Sequence, residues 1–150
     1  MYSRNAVVRL WQAIWLGIFL TSCGTVLAAG NQVAKVVYHL GDDDPAQIKR
    51  ALRYINNQLA VEPNSRIVVL AHAGGVDFLL KDATDKYEVE YEPALQELVK
   101  RGVEFRACNL TLLSRRLDKT ALLDFAKVVP SGVAELTRLQ NQEGFAYIRP

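Results

Sequence analysis

The stretch VEFRACNLTL, residues 103–112, decides the fold, because it joins a short β-rich run to a polar turn. Cys108 ends the β-rich run, and Asn109 and Thr111 follow it in the turn. Open α/β sheets bind ligands and carry out chemistry where their strands end, at the carboxyl edge. We therefore expect Cys108 to lie at that edge of a parallel sheet, either as a reactive thiol or as a packing residue.

Strands alternate with helices through the rest of the chain. Compact apolar, β-branched runs predict five strands: Lys35–Leu40, Arg66–Ala71, the run ending at Cys108, 127–129 and 145–148. Apolar residues at helical spacing fill most of the segments between these runs. This alternation predicts the α/β class, with one three-layer α/β/α domain over residues 33–150 and a mostly parallel five-stranded sheet.

Two predicted helix starts carry capping signals. Asp44 is predicted as an N-cap, and Gln47, three residues later, completes a capping box. Asp118 is predicted to cap a helix over residues 119–125.

Composition excludes several function classes. The 150 residues carry 18 Lys and Arg against 16 Asp and Glu, and the basic residues are scattered rather than interleaved with aromatics, so nucleic-acid binding is not predicted. The dinucleotide motif GxGxxG, the phosphate-loop motif GxxxxGK[ST] and the esterase motif GxSxG do not occur in the sequence, so no organic cofactor is predicted.

The first 29 residues are predicted to be an export signal rather than part of the fold. Arg4 and Arg9 form a positive segment before the apolar run LWQAIWLGIFL at residues 10–20, which is short for a bilayer span. Small residues at 26–28 would permit cleavage to a soluble periplasmic protein. The sequence LTSC instead resembles a bacterial lipobox, in which Cys23 would be acylated and anchor the protein to the membrane.

The sequence leaves both processing routes open, namely cleavage to a soluble protein and acylation of Cys23. An uncleaved membrane anchor is a third alternative. After either processing route, Cys108 is the remaining free thiol of the mature chain. In an oxidising compartment such a cysteine is buried and inert, paired with another molecule, or reactive.

Three residues whose side chains can take part in catalysis lie at the ends of successive predicted strands, namely His39, His72 and Cys108. A parallel sheet would bring them to one edge. Arg106 lies two residues before Cys108 on the same side of the strand, and Arg115 and Arg116 follow closely, so their charge is expected to lower the pKa of the thiol. The alternative interpretations are hydrogen-bonded loop histidines, a packed cysteine and solvated arginines.

A zinc site built from His39, His72 and Cys108 is a weaker alternative. The ligand types suit zinc, but no CxxC or HxxxH pair supports the assignment. We therefore predict no metal ligands.

The sequence resembles the DsrE/DsrF-like family over nearly all of residues 35–150. The motifs that carry the resemblance are KVVYHL with its acidic turn, RIVVLAHAGGVDFLL, GVEFRACNLTL and the ending VVPSGVAELTRLQNQEGFAYIRP. The resemblance implies a flavodoxin-like α/β/α sandwich and assembly into homotrimers or homohexamers. It also implies a role in sulfur relay, in which a cysteine accepts sulfane sulfur as a persulfide and passes it to a partner.

The resemblance assigns that role to Cys108. The relay proteins of the family act in the cytoplasm, whereas this protein would be an exported member. Its partners would be sulfane-sulfur donor and acceptor proteins or small thiols. Asn109 and Thr111 would hydrogen-bond the persulfide, and His39 and His72 would move protons. The alternative function is a non-catalytic module of the same fold that binds a small ligand or a partner protein.

Overall fold

Five strands and four helices alternate along residues 33–150, the part of the chain that the computed structural model describes. The strands are β1 (Lys35–Leu40), β2 (Arg66–Ala71), β3 (Glu104–Cys108), β4 (Lys127–Val129) and β5 (Ala146–Ile148). The helices are α1 (Pro45–Val61), α2 (Glu92–Lys100), α3 (Asn109–Arg115) and α4 (Gly132–Glu143), with 3₁₀ turns at Ala73–Leu79 and Lys119–Ala121. The predicted export signal at residues 1–29, including Cys23, lies outside the described residues.

The strands form one parallel sheet in the order β4-β3-β2-β1-β5. This confirms the predicted α/β class, the five strands and their parallel direction. The chain moves outward from β1 through β2 and β3 to β4, and then returns to the other side of β1 with β5. Because all five strands point the same way, their carboxyl ends share one edge.

Helices cover both faces of the sheet. One face packs against α1, α2 and the Ala73–Leu79 turn, and its core includes Tyr38, Val69 and Phe105. The other face packs against α4. Residues buried on that side are Val37, Val68, Leu70, Leu136, Leu139 and Phe145. Burial on both faces explains why β1 and β2 are continuous apolar runs rather than alternating ones.

The capping predictions were partly correct. The Asp44 side chain accepts a hydrogen bond from the Ala46 amide at 2.9 Å and caps α1 as predicted. The predicted capping box is wrong, because the Gln47 side chain is buried and its Nε2 donates to the carbonyl of Pro150 instead. Asp118 caps only the short turn Lys119–Ala121, because the chain becomes extended at Leu122, which is buried in the core.

Within residues 33–150, every helix is too short or too polar to cross a bilayer.

Candidate functional site

The carboxyl edge of the sheet brings His39, His72 and Cys108 together. Ala71 of β2 pairs with Ala107 of β3, so the next residues, His72 and Cys108, leave neighbouring strands at the same level. His39 lies one residue before the end of β1, and its Nε2 is 2.6 Å from Nε2 of His72. The three side chains therefore form a row that follows the strand order.

The Cys108 thiol lies in a polar pocket although it is buried. Cys108 ends β3 and immediately precedes α3, and only 6% of the residue is exposed. Burial by itself raises the pKa of the thiol, because it disfavours the charged form. The backbone amide of Gly132, the amide and hydroxyl of Thr111 and the amide of Leu110 outweigh burial, so the pKa is lowered overall.

These groups act on the sulfur chiefly as nearby dipoles. Cys108 makes no side-chain capping hydrogen bond to α3. The amide of Gly132 belongs to the first residue of a different helix, α4, so two helices direct their amino-terminal ends at one sulfur atom. Amino-terminal helix amides carry partial positive charge and favour a thiolate.

Gly132 permits this approach because it has no side chain. A Cβ atom there would lie 3.1 Å from Cβ of His72 and 3.3 Å from Cβ of Cys108, closer than ordinary van der Waals contact. Ser131 caps α4 by accepting a hydrogen bond from the Ala134 amide at 3.4 Å. The role of Gly132 could not be predicted from the sequence, because its contacts exist only once α4 has packed against the sheet.

Thr111 joins two segments at the edge. Its Oγ1 accepts a hydrogen bond from the amide of Ala73 at 2.9 Å, and the hydroxyl is also directed at Cys108. Thr111 thus holds the segment after β2 against α3. Asn109 is partly exposed at the start of α3 and is not among the main groups that lower the pKa of Cys108.

The arginines do not supply the free positive charge that the sequence led us to expect. Arg106 is buried on the face of the sheet that α4 covers. Its guanidinium pairs there with Glu135 and, at 2.9 Å, with Glu104. Its charge is therefore offset by two carboxylates. Arg115 pairs with Asp77. The guanidiniums of Arg106 and Arg115 are thus already paired with carboxylates, and the groups that lower the pKa of the thiol are amides and a hydroxyl.

Tyr147 extends the histidine pair to the surface. Its hydroxyl lies 2.7 Å from Nδ1 of His39, and the residue is 43% exposed. Burial lowers the pKa of His39, electrostatic interactions with His72 and Arg149 lower it further, and Asp42 opposes these effects. Tyr147 could not be identified from the sequence, because its contact with His39 depends on the pairing of β5 with β1.

The zinc alternative gains no support from the geometry. Within the described part of the chain, no group of three or more His, Cys, Asp or Glu side chains is arranged to hold a metal ion. A cavity of about 450 Å³ lies between the start of α1, α2 and the loop that carries Tyr87, and none of His39, His72 and Cys108 lines it.

Comparisons with known proteins agree on the fold. The profile of the DsrE/DsrF-like family matches residues 31–150. A solved structure, described as a protein of unknown function MTH1491 from Methanobacterium thermoautotrophicum, is similar with a TM-score of 0.70 and 37% sequence identity. The match covers 78% of this chain and 99% of that chain. Comparison with curated proteins finds no match. The chain belongs to the DsrE/DsrF-like family.

Proposed function

We propose that this protein is a sulfur carrier that holds sulfane sulfur as a persulfide on Cys108. The observation that carries the proposal is the position of the Cys108 thiol at the carboxyl edge of the sheet, beside the amino-terminal ends of two helices, whose amides lower its pKa together with the Thr111 hydroxyl. The thiolate is the nucleophilic form of cysteine, so this environment favours attack on sulfur. Membership of the DsrE/DsrF-like family favours a role in sulfur relay.

The transfer needs one bond to form and one to break. The Cys108 thiolate attacks the outer sulfur of a persulfide or polysulfide donor, and a new S–S bond forms. The donor's own S–S bond breaks, and its inner sulfur leaves with the electron pair and takes up a proton. An acceptor thiolate later attacks the outer sulfur held on Cys108, which regenerates the free thiolate. The exchange needs no external oxidant or reductant.

The polar groups around Cys108 can also stabilise the persulfide once it has formed. A persulfide extends the side chain by one sulfur, which carries the negative charge when ionised. The amide of Gly132 and the groups of Thr111 offer hydrogen-bond donors to that anion. Because Cys108 is only 6% exposed, the donor must present its sulfur through a narrow opening, which favours a small polysulfide or a protruding persulfide side chain.

Mass spectrometry of the intact protein tests the proposal. After incubation with polysulfide, the wild-type protein should gain the mass of one sulfur atom, and dithiothreitol should remove it. Cys108→Ser should gain nothing. Thr111→Val keeps the shape of the side chain but loses the hydroxyl, so it should load more slowly. An equal gain in Cys108→Ser, or no gain in the wild type, would end the proposal.

The burial of Cys108 also favours a second candidate, a binding module in which the cysteine is part of a packed wall. Alkylation by iodoacetamide at neutral pH separates the two functions. A carrier should react at Cys108 in the folded state, and the reaction should become faster as the pH rises through the lowered pKa of the thiol. A binding module should react only after unfolding.

We further propose that the protein acts after export and as a homo-oligomer. Three exposed apolar side chains, Leu110, Leu113 and Val133, lie on the two helices that begin beside Cys108. Their exposure supports an association surface next to the site. Light scattering after gel filtration should give the mass of a trimer or hexamer, and a monomer at micromolar concentration would contradict the assembly.

A further inference from the structure

A chain of hydrogen bonds runs along the sheet edge from the surface toward Cys108. The Tyr147 hydroxyl lies 2.7 Å from His39 Nδ1, and His39 Nε2 lies 2.6 Å from His72 Nε2. The two histidine rings are inclined by 20° to each other, with centroids 4.7 Å apart, so they meet nearly end to end. His72 leaves β2 beside Cys108, and the backbone of Gly132 lies against both. The proposed function assigns no task to Tyr147, and it leaves open how the two histidines act.

The bonding pattern limits where the protons can be. A bond between two Nε2 atoms needs one donor and one acceptor, so the pair shares a single proton. When Tyr147 donates to His39 Nδ1, His39 carries its proton on Nε2 and donates it to His72. His72 then accepts at Nε2 and carries its own proton on Nδ1. In this arrangement each hydrogen bond is donated in the same direction, from Tyr147 toward the site.

His72 lies beside Cys108 at the sheet edge. The position of a Cβ atom on Gly132 lies 3.1 Å from Cβ and 3.6 Å from Cγ of His72, and 3.3 Å from Cβ of Cys108. Nε2 of the His72 ring is occupied by its bond with His39. Nδ1 is therefore the ring nitrogen of His72 that remains free to donate a proton.

We infer that Tyr147, His39 and His72 form a proton relay that supplies the proton taken up by the donor's leaving sulfur during transfer to Cys108. This inference rests on the proposed function. As the donor's S–S bond breaks, His72 gives its Nδ1 proton to the leaving sulfur and takes the shared proton from His39 at Nε2. His39 takes the hydroxyl proton of Tyr147, and Tyr147 takes a proton from water. His72 is the catalytic residue of the relay, and Tyr147 is a positioning residue that sets the tautomer of His39.

The surroundings of the pair keep it in the form that the relay needs. If both rings are protonated, both Nε2 atoms are donors and the bond between them is lost. Burial and the positive charge of Arg149, which follows β5, disfavour protonation of His39, while Asp42, which follows β1, opposes this. Arg149 and Asp42 pair with each other at 2.7 Å, which moderates both effects. Transfer should therefore slow in acid as the bond between the histidines breaks.

The leaving group provides the test. An alkyl thiolate is the more basic leaving group and gains more from protonation as it leaves, whereas an aromatic thiolate is less basic and needs little assistance. Single-turnover loading of Cys108 should be followed by mass spectrometry with one alkyl and one aromatic persulfide. The variant is Tyr147→Phe, which keeps the ring and loses the hydroxyl. The matched control is Tyr87→Phe, an exposed tyrosine on the distant loop.

Tyr147→Phe should slow loading from the alkyl donor by about tenfold, equivalent to roughly 1.4 kcal/mol in the barrier, and should leave loading from the aromatic donor nearly unchanged. Tyr87→Phe should match the wild type with both donors. The ¹⁵N resonances of His39 give a readout that does not depend on transfer, because loss of the tyrosine bond should change the balance between its two tautomers.

The outcomes separate the relay from the carrier function. If the wild type loads and Tyr147→Phe loads equally well from both donors, the relay is refuted and the carrier stands. An equal slowing with both donors indicates a merely structural role and also refutes the relay. If the wild type does not load at all, both proposals fail, and the His39 tautomer then reports only on the hydrogen bond.

Discussion

Gly132→Ala tests whether the close approach of α4 sets the chemistry of Cys108. The added methyl group would lie 3.1 Å from Cβ of His72 and 3.3 Å from Cβ of Cys108. Ordinary contacts begin at about 3.4 Å, so the first turn of α4 must move away by a few tenths of an ångström. The movement carries the Gly132 amide away from the sulfur, and the pKa of the Cys108 thiol should therefore rise.

The stability cost follows from crowding on both sides of the new methyl group. An extra methyl in a well-packed site costs about 1–3 kcal/mol. Alanine also has the higher helix propensity, worth up to about 1 kcal/mol in the opposite direction. We therefore expect a net loss of roughly 1–2 kcal/mol. Thr137→Ala is the matched control, because Thr137 lies on the same helix, is exposed and is not part of the proposed association surface.

Two measurements on the same samples check the reasoning. Urea unfolding gives the free energy of unfolding, and the pH dependence of iodoacetamide alkylation gives the pKa of Cys108. In Gly132→Ala the alkylation midpoint should move to higher pH, whereas in Thr137→Ala it should not move. A variant that loses stability but keeps the wild-type midpoint would show that the Gly132 amide does not stabilise the thiolate.

Three further predictions concern other parts of the structure. Because burial lowers the pKa of His39 below its usual 6.5, the unfolded chain binds more protons than the folded chain, and the free energy of unfolding should fall as the pH drops from about 7 to about 5. In His39→Gln this pH dependence should be weaker, and an equal slope in urea titrations of the two proteins would contradict the assignment. Arg106→Gln removes one of the two guanidiniums that pair with the buried Glu135 carboxylate and leaves the other, Arg138, in place, so it should cost about 1.5–3 kcal/mol in chemical unfolding. Lys127→Gln, which breaks an exposed pair, should cost less than about 0.5 kcal/mol, and similar losses in the two variants would be inconsistent with this difference in burial. Asp44→Ala removes the cap of α1 and should cost about 1 kcal/mol in thermal unfolding, and no change would show that the cap adds nothing to stability.

The local parts of the fold could be predicted from the sequence. β1 and β2 are apolar runs of six residues, and both have the predicted bounds. The order of the strands could not be predicted, because it depends on which side of β1 the chain returns to after α4, and no local pattern records that. Gln47 shows the same limit, since its side chain is drawn away from a local cap by a contact with Pro150, 103 residues later.

The candidate site was predictable only along single strands. The alternation of side chains correctly placed Arg106 on the same face as Cys108. It did not show that Glu135, from a helix 29 residues away, would occupy that guanidinium. Gly132 and Tyr147 were missed for the same reason, because their contacts with Cys108 and His39 exist only once α4 and β5 have packed.

The strand that carries Tyr147 is short and lies at an edge of the sheet. β5 has three residues, and within residues 33–150 it pairs on one side only, with β1. Edge strands of this length open in local unfolding events that cost far less than global unfolding. Such an opening would disconnect Tyr147 from the histidines and leave the interior strand β3, with its thiol, in place. Hydrogen exchange at the β5 amides would then report how often the nucleophile is present without its proton supply.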